Sequence, residues 1–277
     1  MIKKVVGAIF TCCLFLNAIA YGGGSRNPDS VLKVMNRVAH WQMNEWKEGR
    51  IIKLPKTEWE NGAMYTGFIA LKQIDNQTTY DKFLYNIGEE LNWNTGPSRL
   101  FADDYVIAQM YVAMYMEHRE RKMIAKWQLL ADTIVKKQFN ESLKVVPKIN
   151  HREWAWCDAL FMGPPSMAML SKATGDLKYL KKADTLWWKT SAYLYDQKEN
   201  LYYRDSRFFD RKEANGKKVF WSRGNGWVLA GLARMMDNMP KDFQSRRSYQ
   251  EQFKQMAKKI ASLQQPDGSW HASLYDP

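Results

Sequence analysis

Cysteine is scarce in this chain, with three residues in 277, at positions 12, 13 and 157. The first two lie in an N-terminal apolar run, so loss of that run leaves Cys157 alone. That excludes an intrachain disulfide and a zinc site built from several thiolates, and the fold must be held by its core. Cys157 matches no Cys-His catalytic signature and reads as a buried neutral thiol. Histidine is also rare; the four residues show no metal-ligand spacing, so no metal is expected. A phosphate loop is missing, and Gly224-Asn225-Gly226 lacks the third glycine and the preceding strand of a dinucleotide fingerprint, so no cofactor is expected either. Alternating strand-like sequence is nearly absent, which excludes a β-rich fold. Acidic residues are outnumbered, 29 Asp and Glu against 41 Lys and Arg, and a net charge of +12 favours anionic partners. The lysines are scattered over many helices without a basic arm or recognition motif, so nucleic acid is not among the expected partners; a small acidic substrate is.

The N-terminus carries Lys3 and Lys4, an apolar run from Val5 to Leu16, and Ala18-Ile19-Ala20 before Tyr21, which reads as a signal peptide over 1–20. The run is shorter than the ~20 residues of a spanning helix, and no later segment supplies one. An exported protein without a membrane anchor is expected, periplasmic in a Gram-negative cell. Residues 21–28 form a flexible lead-in, and 29–277 one domain. Oligomeric state is not set by any pattern in the chain.

From there, apolar residues recur at three- and four-residue spacing, predicting helices near 29–49, 59–75, 78–92, 103–117, 120–138, 156–174, 176–196, 224–239 and 244–265. A hairpin is expected between pieces around Leu201-Tyr202-Tyr203 and Val219-Phe220-Trp221. Helices that are apolar and almost uncharged alternate with lysine- and glutamate-rich ones. The uncharged set must be enclosed, so it forms an inner ring behind an amphipathic outer one, an all-α fold of the α/α toroid type. Six helix pairs need about twelve helices. The pattern supplies fewer, and Asp267 to Leu274 reads as the start of a further inner element, so the toroid is expected to be incomplete at its C-terminus.

The inner helices begin at polar and aromatic clusters: Glu58 to Gly62, Phe101 to Asp104, Glu153 to Asp158, and Trp221 to Asn225. In a toroid these starts share one mouth. Asp103, Asp104 and Asp158 are the acid/base candidates there, with N-capping as the alternative for each. Trp154, Trp156, Trp221 and Trp227 add stacking surfaces, and Arg223 adds a fork that fits a carboxylate. Together they point to an acidic sugar.

These same residues resemble glycoside hydrolase family 105, the unsaturated rhamnogalacturonyl hydrolases, and more distantly the unsaturated glucuronyl hydrolases of family 88. The resemblance lies in Trp156-Cys157-Asp158-Ala159-Leu160-Phe161-Met162-Gly163-Pro164-Pro165 and Phe220-Trp221-Ser222-Arg223-Gly224-Asn225-Gly226-Trp227, supported by Ala102-Asp103-Asp104-Tyr105 and Asp267 to Leu274. It implies an (α/α)6 barrel that removes a 4,5-unsaturated uronic acid from the non-reducing end of pectin-derived rhamnogalacturonan oligosaccharides, by hydration of the double bond without metal or cofactor. Asp158 matches the general acid/base and Asp103 the second carboxylate, with Asp104 as its adjacent alternative. Trp221, Arg223 and Trp227 match substrate contacts, and Asp104, Trp156 and Tyr65 complete the expected substrate-binding set. Ala108 stands where the family has glycine, and the family continues beyond the motif like Leu274-Tyr275-Asp276-Pro277 into closing helices. A noncatalytic carbohydrate-binding remnant and an inverting glycosidase on the same barrel remain the alternatives.

Overall fold

The structure is a computed structural model that describes residues 27–50, 54–75, 78–98, 100–146 and 154–276. The expected signal peptide, most of the lead-in and Glu153 lie outside the described residues. Two compact units divide the chain, the first reaching Gln42 and the second running from Met43 onward. Helix α1, Pro28–Lys47, opens with Asn27, whose Oδ1 accepts the Asp29 N–H at 3.0 Å. Its residues Val31, Val34, Met35, Val38 and Trp41 follow a helical stripe and are exposed.

In the second unit, apolar and amphipathic helices alternate as the pattern requires. The apolar set comprises α2 (Trp59–Ile74), α4 (Ile107–His118), the short α6 (Ala159–Met162) continuing into α7 (Pro164–Thr174), and α9 (Ser222–Asn238). Consecutive members of this set pack on one another, so α4 touches α2 on one side and α7 on the other, and α7 in turn touches α9. Small residues make that approach possible. A Cβ on Gly231 of α9 would lie 2.5 Å from the Leu160 carbonyl oxygen, so any larger residue would push α9 off α6.

The amphipathic set, α3 (Thr78–Glu90), α5 (Lys122–Lys136), α8 (Leu177–Leu194) and α10 (Arg246–Ala261), buries one stripe each. In α5 this stripe is Met123, Ile124, Trp127, Leu130, Ala131 and Ile134, at the three- and four-residue spacing of a single helix face. Chain reversals use matching chemistry: Gly175 takes the left-handed conformation (φ +76°) after α7, and Asp176 then caps α8 by accepting the Lys178 N–H at 3.0 Å. The result is the helical toroid arrangement expected from the sequence.

Local boundaries differ from expectation in four places. The segment expected as one helix over 103–117 is a 3-10 turn, Ala102–Tyr105, followed by α4. The helix expected over 156–174 breaks at Gly163, where Pro164 opens α7 at the position that needs no backbone donor. Strand β2, Leu201–Tyr202, pairs with β1, Tyr195–Asp196, and not with 219–221. Trp221 instead bridges Ser273, with the Ser222 N–H on the Ala272 carbonyl at 3.0 Å and the Leu274 N–H on Phe220 at 2.8 Å. The tail expected to begin an inner helix is thus an extended clasp along the entry to α9.

Candidate active site

The starts of the inner helices meet as expected. Trp59 at the head of α2 meets the Trp227 ring edge-on at 6.1 Å, and Trp227 packs on Phe161 at 4.7 Å. Phe101, before the 3-10 turn, stacks on Trp156 at 5.2 Å. Between these aromatic walls lie the carboxylates.

Asp103 and Asp158 make no capping hydrogen bond to a helix end, so the capping alternative is not what occupies them. Asp103 receives the Trp156 indole N–H on its carboxyl group, while its Oδ1 is buried without a partner. Burial, followed by the charges of Asp158, Asp104 and Glu60, pushes its carboxyl up to about 7. The Asp158 carboxyl is also raised, by burial first; it accepts the Cys157 Sγ–H at 3.3 Å, and Arg204 and Arg223 pull in the opposite direction. Burial and neighbouring carboxylates thus raise Asp103, and burial raises Asp158, above the ordinary carboxylate value.

Asp104 points elsewhere. It is 7% exposed, and its carboxylate accepts the Ser98 N–H while its carbonyl accepts the Gly96 N–H at 3.1 Å, so it fastens the loop before the 3-10 turn. The neighbouring aspartates of one 3-10 turn therefore divide the work, Asp103 toward the other carboxylates and Asp104 toward the backbone. Tyr65 must be corrected outright. It has no exposed surface, stacks on Trp46 at 5.3 Å and donates its hydroxyl to the Lys56 carbonyl at 3.1 Å, so it is a core residue and not a substrate contact. Trp156 is only 6% exposed, and its main contribution is to orient Asp103.

Ser222 to Trp227 form the first turn and a half of α9, which begins two residues earlier than the expected 224. Asn225 is buried and joins this turn to β2: its Oδ1 accepts the Tyr202 N–H at 2.8 Å, and its Nδ2 donates to the carbonyls of Tyr202 and Trp221, both at 3.0 Å. Gly224 is dictated by crowding, since a Cβ there would lie 2.7 Å from the Trp221 ring and 2.8 Å from the Cys157 sulfur. The Arg223 side chain faces outward. Its guanidinium lies 4.6 Å from the Trp221 ring centre and 5.9 Å from that of Trp59, is exposed, and forms no ion pair among the described residues. Cys157 is fully buried, and burial pushes its thiol well up, in line with the neutral-thiol reading.

Two site residues were not singled out by sequence. Glu60 has a buried Oε2 without a partner and bears electrostatically on Asp103. Arg204, between β2 and the 3-10 turn Ser206–Phe208, has its guanidinium 5.5 Å from the Trp221 ring centre. Glu60 was visible only as part of a polar helix start, and Arg204 had no pattern around it. Asp103 Oδ1, Glu60 Oε2 and the Trp227 Nε1 are thus three buried polar atoms at one mouth that lack protein partners, as expected of a site that a polar ligand completes. The one grouping of metal-ligand type among the described residues, Asp81, Glu117 and His118, lies elsewhere and has the Lys72 ammonium bonded to both carboxylates.

A carboxyl pair under aromatic walls, at the mouth of an α/α toroid, sets the class of protein: a helical toroid of the carbohydrate-processing kind. Comparison with known proteins makes the assignment particular. Residues 34–277 match Glycosyl Hydrolase Family 88, and the chain belongs to that family. It is 36% identical over 248 residues to an unsaturated 3S-rhamnoglycuronyl hydrolase of Formosa agariphila, covering 84% of this chain and 65% of that relative. The chain thus spans slightly less than two thirds of that relative's length. A solved polysaccharide lyase is 28% identical with a TM-score of 0.78, over 90% of this chain and 71% of the other. A solved family 88 glycosyl hydrolase from Bacteroides vulgatus is 27% identical with a TM-score of 0.76, over 89% of this chain and 72% of the other.

Proposed function

We propose that this chain carries the catalytic face of a glycoside hydrolase that removes a 4,5-unsaturated uronic acid from the non-reducing end of an acidic oligosaccharide, with rhamnose as the neighbouring sugar. The relative named for a rhamnoglycuronyl substrate supports that pairing of sugars, and rhamnogalacturonan fragments of pectin contain it as well. The observation that carries the reading is the pair Asp103 and Asp158, buried carboxyls both raised above their ordinary value, with the exposed Arg223 guanidinium beside Trp221.

In this reading Arg223 takes the uronate carboxylate and the indoles of Trp221 and Trp227 pack on the sugar faces. The Asp158 carboxyl gives its proton to C4 of the double bond as the C4=C5 electron pair forms the new C–H bond, leaving positive charge shared by C5 and the ring oxygen. Water adds at C5 and loses a proton to the carboxylate pair, with Asp103 placed to orient it. The resulting hemiketal opens, and C1 releases the neighbouring sugar with its glycosidic oxygen as a hydroxyl. Export through the N-terminal segment would place this activity outside the cytoplasm.

The test is spectroscopic. An unsaturated disaccharide absorbs in the ultraviolet through its conjugated double bond, and added protein should make that absorbance decay. A rise in absorbance on a saturated polysaccharide would instead mean β-elimination, the chemistry of a lyase. Binding without any change would support a noncatalytic role, and hydrolysis of saturated oligosaccharides an ordinary glycosidase.

A further inference from the structure

Glu60 is a first-turn acid of α2, a position where the helix end favours negative charge. That preference explains a glutamate there but not its direction. A carboxylate kept only for the helix end can turn to bulk water, whereas Glu60 Oε2 is buried and has no protein partner. A buried acceptor in that condition is unfavourable, so its surroundings have to account for it.

Two neighbours share the condition. Asp103 Oδ1 is buried without a protein partner, and the Glu60 charge bears on the Asp103 carboxyl. Trp227 Nε1 is a buried donor without an acceptor, on the indole that meets the ring of Trp59, the residue before Glu60, at 6.1 Å. Three elements, α2, the 3-10 turn and α9, thus bring two acceptors and one donor to the same mouth. They cannot satisfy one another, since the single N–H would serve only one of the two oxygens. Water has the complementary set of two O–H donors and two lone pairs. One water donates to Glu60 Oε2 and Asp103 Oδ1, accepts from Trp227 Nε1, and keeps one lone pair free.

We propose that Glu60 is a further catalytic residue, which together with Asp103 and Trp227 holds the water that adds to C5. The assignment rests on the hydrolase reading above and gives the hydration step its missing contact. The free lone pair forms the C5–O bond. The O–H directed at Asp103 breaks, its proton passing to that carboxylate, while the O–H directed at Glu60 survives as the C5 hydroxyl of the hemiketal. Asp158 has by then given its proton to C4, so the Asp103 and Asp158 pair holds one proton before and after. Glu60 neither gains nor loses one; it fixes the direction of the attack.

Two measurements test this. A crystal structure of the protein at high resolution should show one ordered water within hydrogen-bond distance of Glu60 Oε2, Asp103 Oδ1 and Trp227 Nε1. No water there, or one that misses Glu60, would overturn the assignment. The second measurement is kinetic, on an unsaturated disaccharide. Glu60→Gln removes the charge and can turn an N–H to the attacking lone pair, so kcat should fall by about a hundredfold or more while Kd from calorimetry and the melting temperature hold. Glu60→Asp keeps the charge but retracts it, and should fall between the two. Combined with Asp103→Asn, Glu60→Gln should cost far less than the product of the separate losses, because both act on one water. Full activity in Glu60→Gln, a loss shared equally by kcat and binding, or losses that multiply would return Glu60 to a helix-end acid. Should Glu60→Gln fail to fold, Glu60→Asp and the crystal structure decide the question. If the unsubstituted protein leaves the disaccharide intact, the hydrolase reading fails, and the crystal structure still shows whether the three side chains hold a common water.

Discussion

Replacing Asp103 by Asn should stabilise the protein while impairing its chemistry, and the stabilisation should depend on pH. The carboxyl is raised from 3.8 to about 7 because the fold disfavours its charged form. Below pH 3.8 both folded and unfolded chains hold the proton and no penalty exists. As pH rises through the interval up to about 7, the unfolded chain ionises freely and the folded one does not, so folding stability falls. At about 1.36 kcal/mol per pH unit, this loss reaches at most about 4 kcal/mol above neutrality. Asn has the same shape and no charge, and the partnerless Oδ1 means that no hydrogen bond to that atom is given up. Thermal melts of both proteins between pH 4 and 8 should therefore diverge with rising pH, the variant melting several degrees higher at the alkaline end. Equal melting temperatures throughout, or a variant destabilised alike at every pH, would refute the assignment of Asp103 as a strained acid and make it an ordinary structural residue.

Asp158→Asn should abolish turnover of an unsaturated disaccharide while calorimetry shows binding retained, because an amide keeps the shape but has no proton to deliver; most of the rate surviving would remove Asp158 from the acid role. Arg223→Lys should weaken transition-state binding by about 1–3 kcal/mol, read as kcat/KM, with little change in melting temperature since Arg223 is exposed and joins no ion pair among the described residues. Asn225→Leu should do the reverse and cost folding stability by about 2–3 kcal/mol in denaturant titration, because the buried Tyr202 amide loses its side-chain acceptor and the Tyr202 and Trp221 carbonyls each lose a side-chain donor. A variant as stable as the original would mean that β2 is held to α9 by packing alone.

Much of this architecture was legible because its causes are periodic. A helix that is apolar all round, such as α4, has to be enclosed, and a helix with a single stripe, such as α5, has to face inward on one side, so the alternation alone gives two rings. The pairing of Asp103 with Asp158 was legible because both sit where inner helices begin. What stayed hidden depends on direction rather than position. Asp103 and Asp104 are neighbours of one type, and only the 3-10 turn with the Ser98 amide decides which of them faces the other carboxylates. Tyr65 has the composition of a site residue, but the stacked Trp46 ring takes its face. Strands of two residues carry no readable alternation, which is why the partner of Leu201–Tyr202 was misplaced. Arg204 stood alone among loop residues, and its meaning comes entirely from Trp221, distant in sequence and adjacent in space.

The position of the arginines also ties recognition to timing. Arg204 and Arg223 both favour the ionised form of Asp158, so in the empty site they work against the proton that Asp158 is to deliver. An anion lodged against them would cancel that influence, and Asp158 would hold its proton more firmly once the ligand is in place. The acid would then be loaded by the arrival of its own substrate. A neutral sugar of the same outline, even if it fitted between the indoles, would leave both arginines unopposed and the Asp158 proton no more firmly held by charge than in the empty site.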